Sequence, residues 1–128
     1  MITRWERFMG GPSEHPSQRK YVSLSPKGII LMNKRLYKKF GEPAAIVLLF
    51  EKRNNLIGLL RSHEGVKEAF PVRSRDGYHF IHARPFCKNY GIVVPATERF
   101  VDPEIDPEGV MRLDLTKTVS AAHRRRGQ

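Results

Sequence analysis

A displacement of fifty positions lays one stretch of this chain over another without a gap, and no other feature restricts the fold so strongly. Val72-Arg73-Ser74-Arg75-Asp76-Gly77 falls on the segment from Val22 to Lys27, Phe80-Ile81 falls on Ile30-Leu31, and Phe86-Cys87-Lys88-Asn89-Tyr90-Gly91 falls on Leu36-Tyr37-Lys38-Lys39-Phe40-Gly41. Each copy reads as a turn, a short apolar strand, a helix with an apolar pair at i and i+4, and a closing glycine. With 128 residues in all, such a repeat implies one domain made by duplication rather than two independent cores.

The first copy is the easier to read. Tyr21-Val22-Ser23-Leu24-Ser25 alternates with the strand period, Pro26-Lys27-Gly28 is turn chemistry, and Ile29-Ile30-Leu31-Met32 returns as the second arm of a hairpin. Asn33 is a suitable N-cap for a short helix with Leu36 and Phe40 on one face, stopped by Gly41 and Glu42-Pro43. Ala45 to Glu51 and Leu56 to Arg61 are two apolar strands joined by Lys52-Arg53-Asn54-Asn55, a turn where asparagine tolerates a left-handed backbone. In the second copy, Phe100-Val101, the acidic turn from Asp102 to Gly109, and Val110 to Leu115 are expected to form the matching terminal hairpin. The expected fold class is mainly β (α+β), with two tandem β-β-α-β-β units spanning 21–62 and 70–115. An N-terminal arm (1–20), in which Ile2, Trp5, Phe8 and Met9 could form a docking turn, precedes them, and a basic tail (116–128) ending in Arg124-Arg125-Arg126 follows.

Composition narrows the partners. Lys and Arg number 23 against 13 Asp and Glu, a formal charge of +10 that points to a polyanion such as nucleic acid. The longest apolar run, Ala44 to Phe50, is far short of the ~20 residues of a membrane helix, and Arg4, Glu6 and Arg7 interrupt the start, so neither a span nor a secretory signal is expected. A single cysteine, Cys87, excludes an internal disulfide and fits a reducing, cytoplasmic location.

Strand-turn-strand, a short helix closed by glycine, and a following hairpin resemble the swapped-hairpin DNA-binding domains of the AbrB, SpoVT and MraZ group. The resemblance is carried by the run from Ser25 to Gly41 and by its second copy, Arg75 to Ile92. It implies a small β-barrel in which two units interleave, here in the one-chain MraZ-like arrangement over about three quarters of the sequence. The family pattern has Arg after the turn glycine, Arg after the helix leucine, and Pro at the helix start. Those places hold Ile29, Tyr37 and Asn33 in the first unit, and His79, Cys87 and Ala83 in the second.

From Arg19 to Lys39 seven cations, Arg19, Lys20, Lys27, Lys34, Arg35, Lys38 and Lys39, occur without one acid. Arg73, Arg75, Arg84 and Lys88, with His79, are their counterparts in the second unit, and together these residues form the candidate nucleic-acid-binding set. Acid gathers at Glu98, Asp102, Glu104, Asp106, Glu108 and Asp114, a region expected to face away from phosphate. Pro103 and Pro107 and the wrong spacing argue against a calcium loop there, and His79 and His82 alternate across a strand, so no metal or other cofactor is expected. The tyrosines near cations leave RNA open as a partner, with DNA preferred. The expected function is a small DNA-binding transcriptional regulator and not an enzyme. Two alternatives remain open: a protein-interaction module, antitoxin-like or a scaffold that pairs further with itself or a partner, and, remotely, a Cys87/His82 enzyme.

Overall fold

A computed structural model of the chain describes residues 3–5 and 20–121. Within them the fold is mainly β, with two short helices and two antiparallel sheets. β1 (Val22–Leu24) and β2 (Ile29–Asn33) form the first hairpin. Its turn closes through Gly28 N–H donating to Ser25 O at 2.9 Å, with Gly28 at φ +80°, where only glycine is unstrained. α1 (Lys34–Phe40) starts on Asn33, whose Oδ1 accepts from Leu36 N at 3.0 Å, and ends on left-handed Gly41. β3 (Ala45–Glu51) and β4 (Leu56–Ser62) pair in register from Ala45↔Ser62 to Glu51↔Leu56, and Asn55 adopts φ 55° in the turn between them.

The second copy repeats the first as far as its helix. β5 (Phe70–Pro71) is followed by β6 (Arg73–Arg75) and β7 (Tyr78–His82), then by α2 (Arg84–Tyr90), which ends on left-handed Gly91. Ala83 provides no side-chain cap at its start, and Pro85 occupies the first turn, where a missing N–H costs little. Beyond that point the two copies part. β8 (Glu98–Phe100), β9 (Glu104–Ile105), β10 (Val110–Asp114) and β11 (Thr118–Ser120) do not make the expected hairpin of Phe100-Val101 with Val110 to Leu115. β8 pairs with β1 and β11, whereas β10 pairs with β4 and β9. Asp102 at φ 49° and Pro103 separate β8 from β9, and the chain crosses there from one sheet to the other. The strands also run past Leu115, since β11 (Thr118–Ser120) lies inside the segment expected to be tail. The arginines at 124–126 lie outside the described residues, as does most of the N-terminal arm.

The sheets are open, with strand orders β11-β8-β1-β2-β7-β6 and β5-β3-β4-β10-β9, so the closed barrel expected from sequence is corrected to two sheets with free edges. The terminal strands explain the openness. β6 is three exposed residues, and β9 is a two-residue strand set between Pro103 and Pro107, so neither offers a long ladder to close on. One core nevertheless unites both sheets and both helices: Leu24, Ile30, Leu36, Phe40, Ile57, Leu59, Ile81, Phe100, Met111 and Leu113 are all at most 1% exposed. Each such side chain contributes about 1.5–3 kcal/mol by its removal from water. No helix among the described residues is long and apolar enough to cross a membrane.

The pairing alternates between the two halves of the sequence. β2 lies on β7 (Ile30↔Ile81, Leu31↔Phe80), β1 lies on β8, and β4 lies on β10 over five residues. A chain ending at Ser62 lacks all three partners and exposes Ile30, Ile57 and Leu59. Residues 1–62 are therefore expected to show no cooperative thermal transition as a monomer, which circular dichroism with sedimentation measures directly; a soluble monomer that melts cooperatively would refute the interdependence of the halves.

Candidate nucleic-acid interface

The turn of the first unit is held against the helix of the second. Ala83 N–H donates to Gly28 O at 2.8 Å, and a Cβ placed on Gly28 would lie 2.7 Å from Arg84 Cα and 2.9 Å from Arg84 N. These are backbone atoms that cannot swing aside, so glycine is needed at 28 twice: for the positive φ and for the close approach. The consequence is a groove of about 500 Å³ lined by Lys27 of the turn, Arg84 and Lys88 of α2, and Leu24, Cys87 and the segment 91–94. Arg84 and Lys88 are four apart on α2 and share its face. All three cations are exposed, no acid lines the groove, and no ion pair among the described residues involves them.

Sequence reasoning misses the apolar wall Ile92-Val93-Val94 of this groove. The signal for it is an apolar triplet set between Gly91 and Pro95, and its middle residue is 85% exposed. Cys87 is buried in the core cluster, and its burial pushes the thiol upward, away from the thiolate form.

The equivalent place in the other half is built differently. Tyr37 of α1 stacks on His79 of β7 with ring centroids 3.8 Å apart and planes 16° from parallel. The Tyr37 hydroxyl donates to Pro43 O at 2.6 Å, and His79 Nδ1 lies 2.8 Å from Ser74 Oγ. Burial first, and then Glu42, raises the Tyr37 pKa. His79 is held below its ordinary value chiefly by burial, with Lys34 acting in the same direction and Glu42 opposing it. Lys34 and Lys38 are exposed on α1, but the turn of this half carries Asp76, whose Oδ2 lies 4.0 Å from Arg75 Nε. His79 is thus half-buried against an aromatic ring instead of standing free as a phosphate contact.

The remaining candidates separate. Lys20 and Lys39 line a groove of about 470 Å³ with Glu104, Asp106 and Arg112, so part of the acidic segment shares a groove with two of the predicted cations. Arg73 and Arg75 are exposed on edge strand β6, Arg35 is exposed on α1, and Arg19 lies outside the described residues. His82 packs edge-on to Phe80 at 5.5 Å.

The lowered pKa of His79 has a measurable effect on stability. An unfolded imidazole takes up a proton near pH 6.5, while the folded one resists until lower pH. The unfolded chain binds more protons in that window, so the contribution is complete above about pH 6.5 and is lost as pH falls below it. The melting temperature is expected to drop between about pH 7 and pH 5, and His79→Gln to drop less steeply. Superimposable pH profiles for the two proteins would show that His79 titrates freely.

Comparison with family models, with curated proteins and with solved structures finds no match for this chain.

Proposed function

We propose that the chain is a DNA-binding regulator that seats the phosphate backbone of a duplex on the Lys27, Arg84 and Lys88 groove. The observation that carries this reading is the convergence of three cations, drawn from two halves of the sequence, around one acid-free groove. Phosphate contacts of this kind supply affinity and orientation, and Lys27 on a glycine turn with Arg84 and Lys88 on one helix face offers three of them in a fixed arrangement. The net charge of +10 adds a long-range field that steers a polyanion toward the surface.

The resemblance to the swapped-hairpin DNA-binding domains supports DNA over RNA and supports reading the exchange of strand partners between halves as a tandem, opened form of that arrangement. In place of the family arginines the chain carries Ile29 and Cys87 near the basic groove, and a Tyr37–His79 stack in the other half. Isoleucine and cysteine give no strong donor to a base edge, so affinity rests on phosphates and discrimination between sequences is shallow. The two halves also differ in charge, because Asp76 and Glu42 sit where the second half-site would be read. A selected DNA is expected to lack a palindrome within the footprint of one chain.

The test is a salt titration of duplex binding. Replacing Lys27, Arg84 and Lys88 by Ala is expected to weaken binding to all sequences alike and to lower the slope of log K against log salt by about 0.9 for each phosphate no longer neutralised. Replacing Lys20 and Lys39 by Ala, two cations that share their groove with carboxylates, is expected to change the slope little. Equal effects from both sets would show that binding follows net charge alone, and an unchanged slope in the triple variant would remove the groove from the interface.

A further inference from the structure

Val93 is 85% exposed, and apart from Trp5 no other large apolar side chain among the described residues exceeds 43%. Its neighbours are fixed. Ile92 and Val94 pack against the core cluster, Ile92 N–H donates to Cys87 O at 2.9 Å, and Gly91 at φ +65° turns the chain out of α2 into this segment. Pro95 restricts Val94 to extended backbone. The valine is thus presented from a segment anchored on both sides, and its β-branched side chain has little rotamer freedom to lose on contact. A single exposed valine is ordinary on a protein surface. This one lines the same groove as Lys27, Arg84 and Lys88, so three cations and an apolar side chain are offered to one ligand.

We infer that Val93 is a specificity-determining contact, which reads the 5-methyl group of thymine in the major groove of a bound duplex. The inference rests on the reading of the basic groove as a seat for DNA and adds to it which bases are preferred. With its side chains a helix such as α2 is about 10–12 Å across, so α2 together with residues 92–94 matches a major groove about 12 Å wide and not a minor groove about 6 Å wide. Phosphates line the edges of the major groove, and Lys27, Arg84 and Lys88 have the length and charge to meet them. The valine side chain has neither donor nor acceptor. On the floor of the groove its one apolar neighbour is the thymine methyl, whereas over a G·C pair it meets only polar edges, and covering those without returning a hydrogen bond costs free energy. Such a contact discriminates gently: removing one methyl group from water corresponds to about a fourfold change in affinity.

Fluorescence anisotropy of the full chain with labelled duplexes of equal length tests the inference: an alternating A·T duplex, the same duplex with deoxyuridine in place of thymidine, an alternating G·C duplex, and that duplex with its cytosines methylated at C5. Deoxyuridine removes the methyl group and keeps the pairing, and 5-methylcytosine sets a methyl group in the major groove of a G·C pair. The thymine duplex is expected to bind more tightly than the uracil duplex by about fourfold for each methyl contacted, and the methylated G·C duplex to gain over the unmethylated one by a similar factor. Val93→Ser is expected to remove both differences while keeping the melting curve and the salt slope, because Val93 lies outside the core and carries no charge. Val93→Ala carries the same expectation and serves if the serine variant misfolds. Replacing Lys27, Arg84 and Lys88 by Ala acts the other way, weakening binding to every duplex and lowering the slope. Wild type that binds with and without the methyl groups equally overturns the inference and leaves the phosphate groove standing. A methyl preference that survives in the Val93 variants also overturns it and assigns the contact to another residue. Absence of salt-dependent binding to any of the duplexes removes the DNA reading of the groove, and this inference with it.

Discussion

Ile30 and Ile81 face each other at the middle of the β2–β7 pair, neither more than 1% exposed, and the two halves of the chain meet about that contact. The ladder continues from Ile29↔His82 to Asn33↔Tyr78, so it ends where α1 begins on one strand and where the second turn begins on the other. Everything downstream inherits this register. It brings Gly28 to Ala83, which docks the first turn on α2, and it brings His79 beside α1, where Tyr37 stacks on it. A slip of one residue would send Ile30 and Ile81 to the opposite face and would take both junctions apart, which is why a half-buried ladder of this kind fixes a single alignment.

The two strand-turn-strand-helix segments follow the same order of elements and differ in chemistry. At equivalent positions the first helix has an asparagine cap and the second has Ala83 with Pro85; the first turn has Lys27 before its glycine and the second has Asp76. On the Lys27 side, cations gather without acid around an open groove. On the Asp76 side, an aromatic stack fills the space and Glu42 and Asp76 offset Lys34 and Arg75. On the proposed function, this asymmetry of charge makes the Lys27 side the place where an anion would be held.

Local chemistry makes β1 to β4, β7 and both helices legible, but not the short strands β5 and β6. The Asn33 cap, the i and i+4 pair of Leu36 and Phe40, the closing Gly41 and the left-handed Asn55 each act within a few residues, and each is found where the sequence places it. The second terminal hairpin is not legible, because Val101 to Gly109 contains no local signal for which sheet each strand joins. Asp102 and Pro103 turn the chain away from β8, and the choice of partners is made by the apolar side chains of β4 and β1. Counting cations identifies the groove residues but groups them with Lys20 and Lys39, because sequence distance does not show that Glu104 and Asp106 line the same groove as Lys39.

Three cations around one groove repel one another, and the structure opposes that repulsion with backbone geometry instead of neutralising acids. In water two such charges 4 Å apart cost about 1 kcal/mol, less when salt screens them, which is small beside the burial that fixes β2 on β7. The arrangement is therefore stable without a ligand, and on the proposed function an anion seated there would relieve the repulsion. An anion that binds only the folded form stabilises that form by mass action. Because the groove exists only where the Gly28 turn meets α2, that stabilisation acts on the junction between the halves. On the proposed function, occupation of the basic groove and integrity of the frame are thus one linked equilibrium, set by the Ala83 to Gly28 hydrogen bond and the absence of a side chain at residue 28.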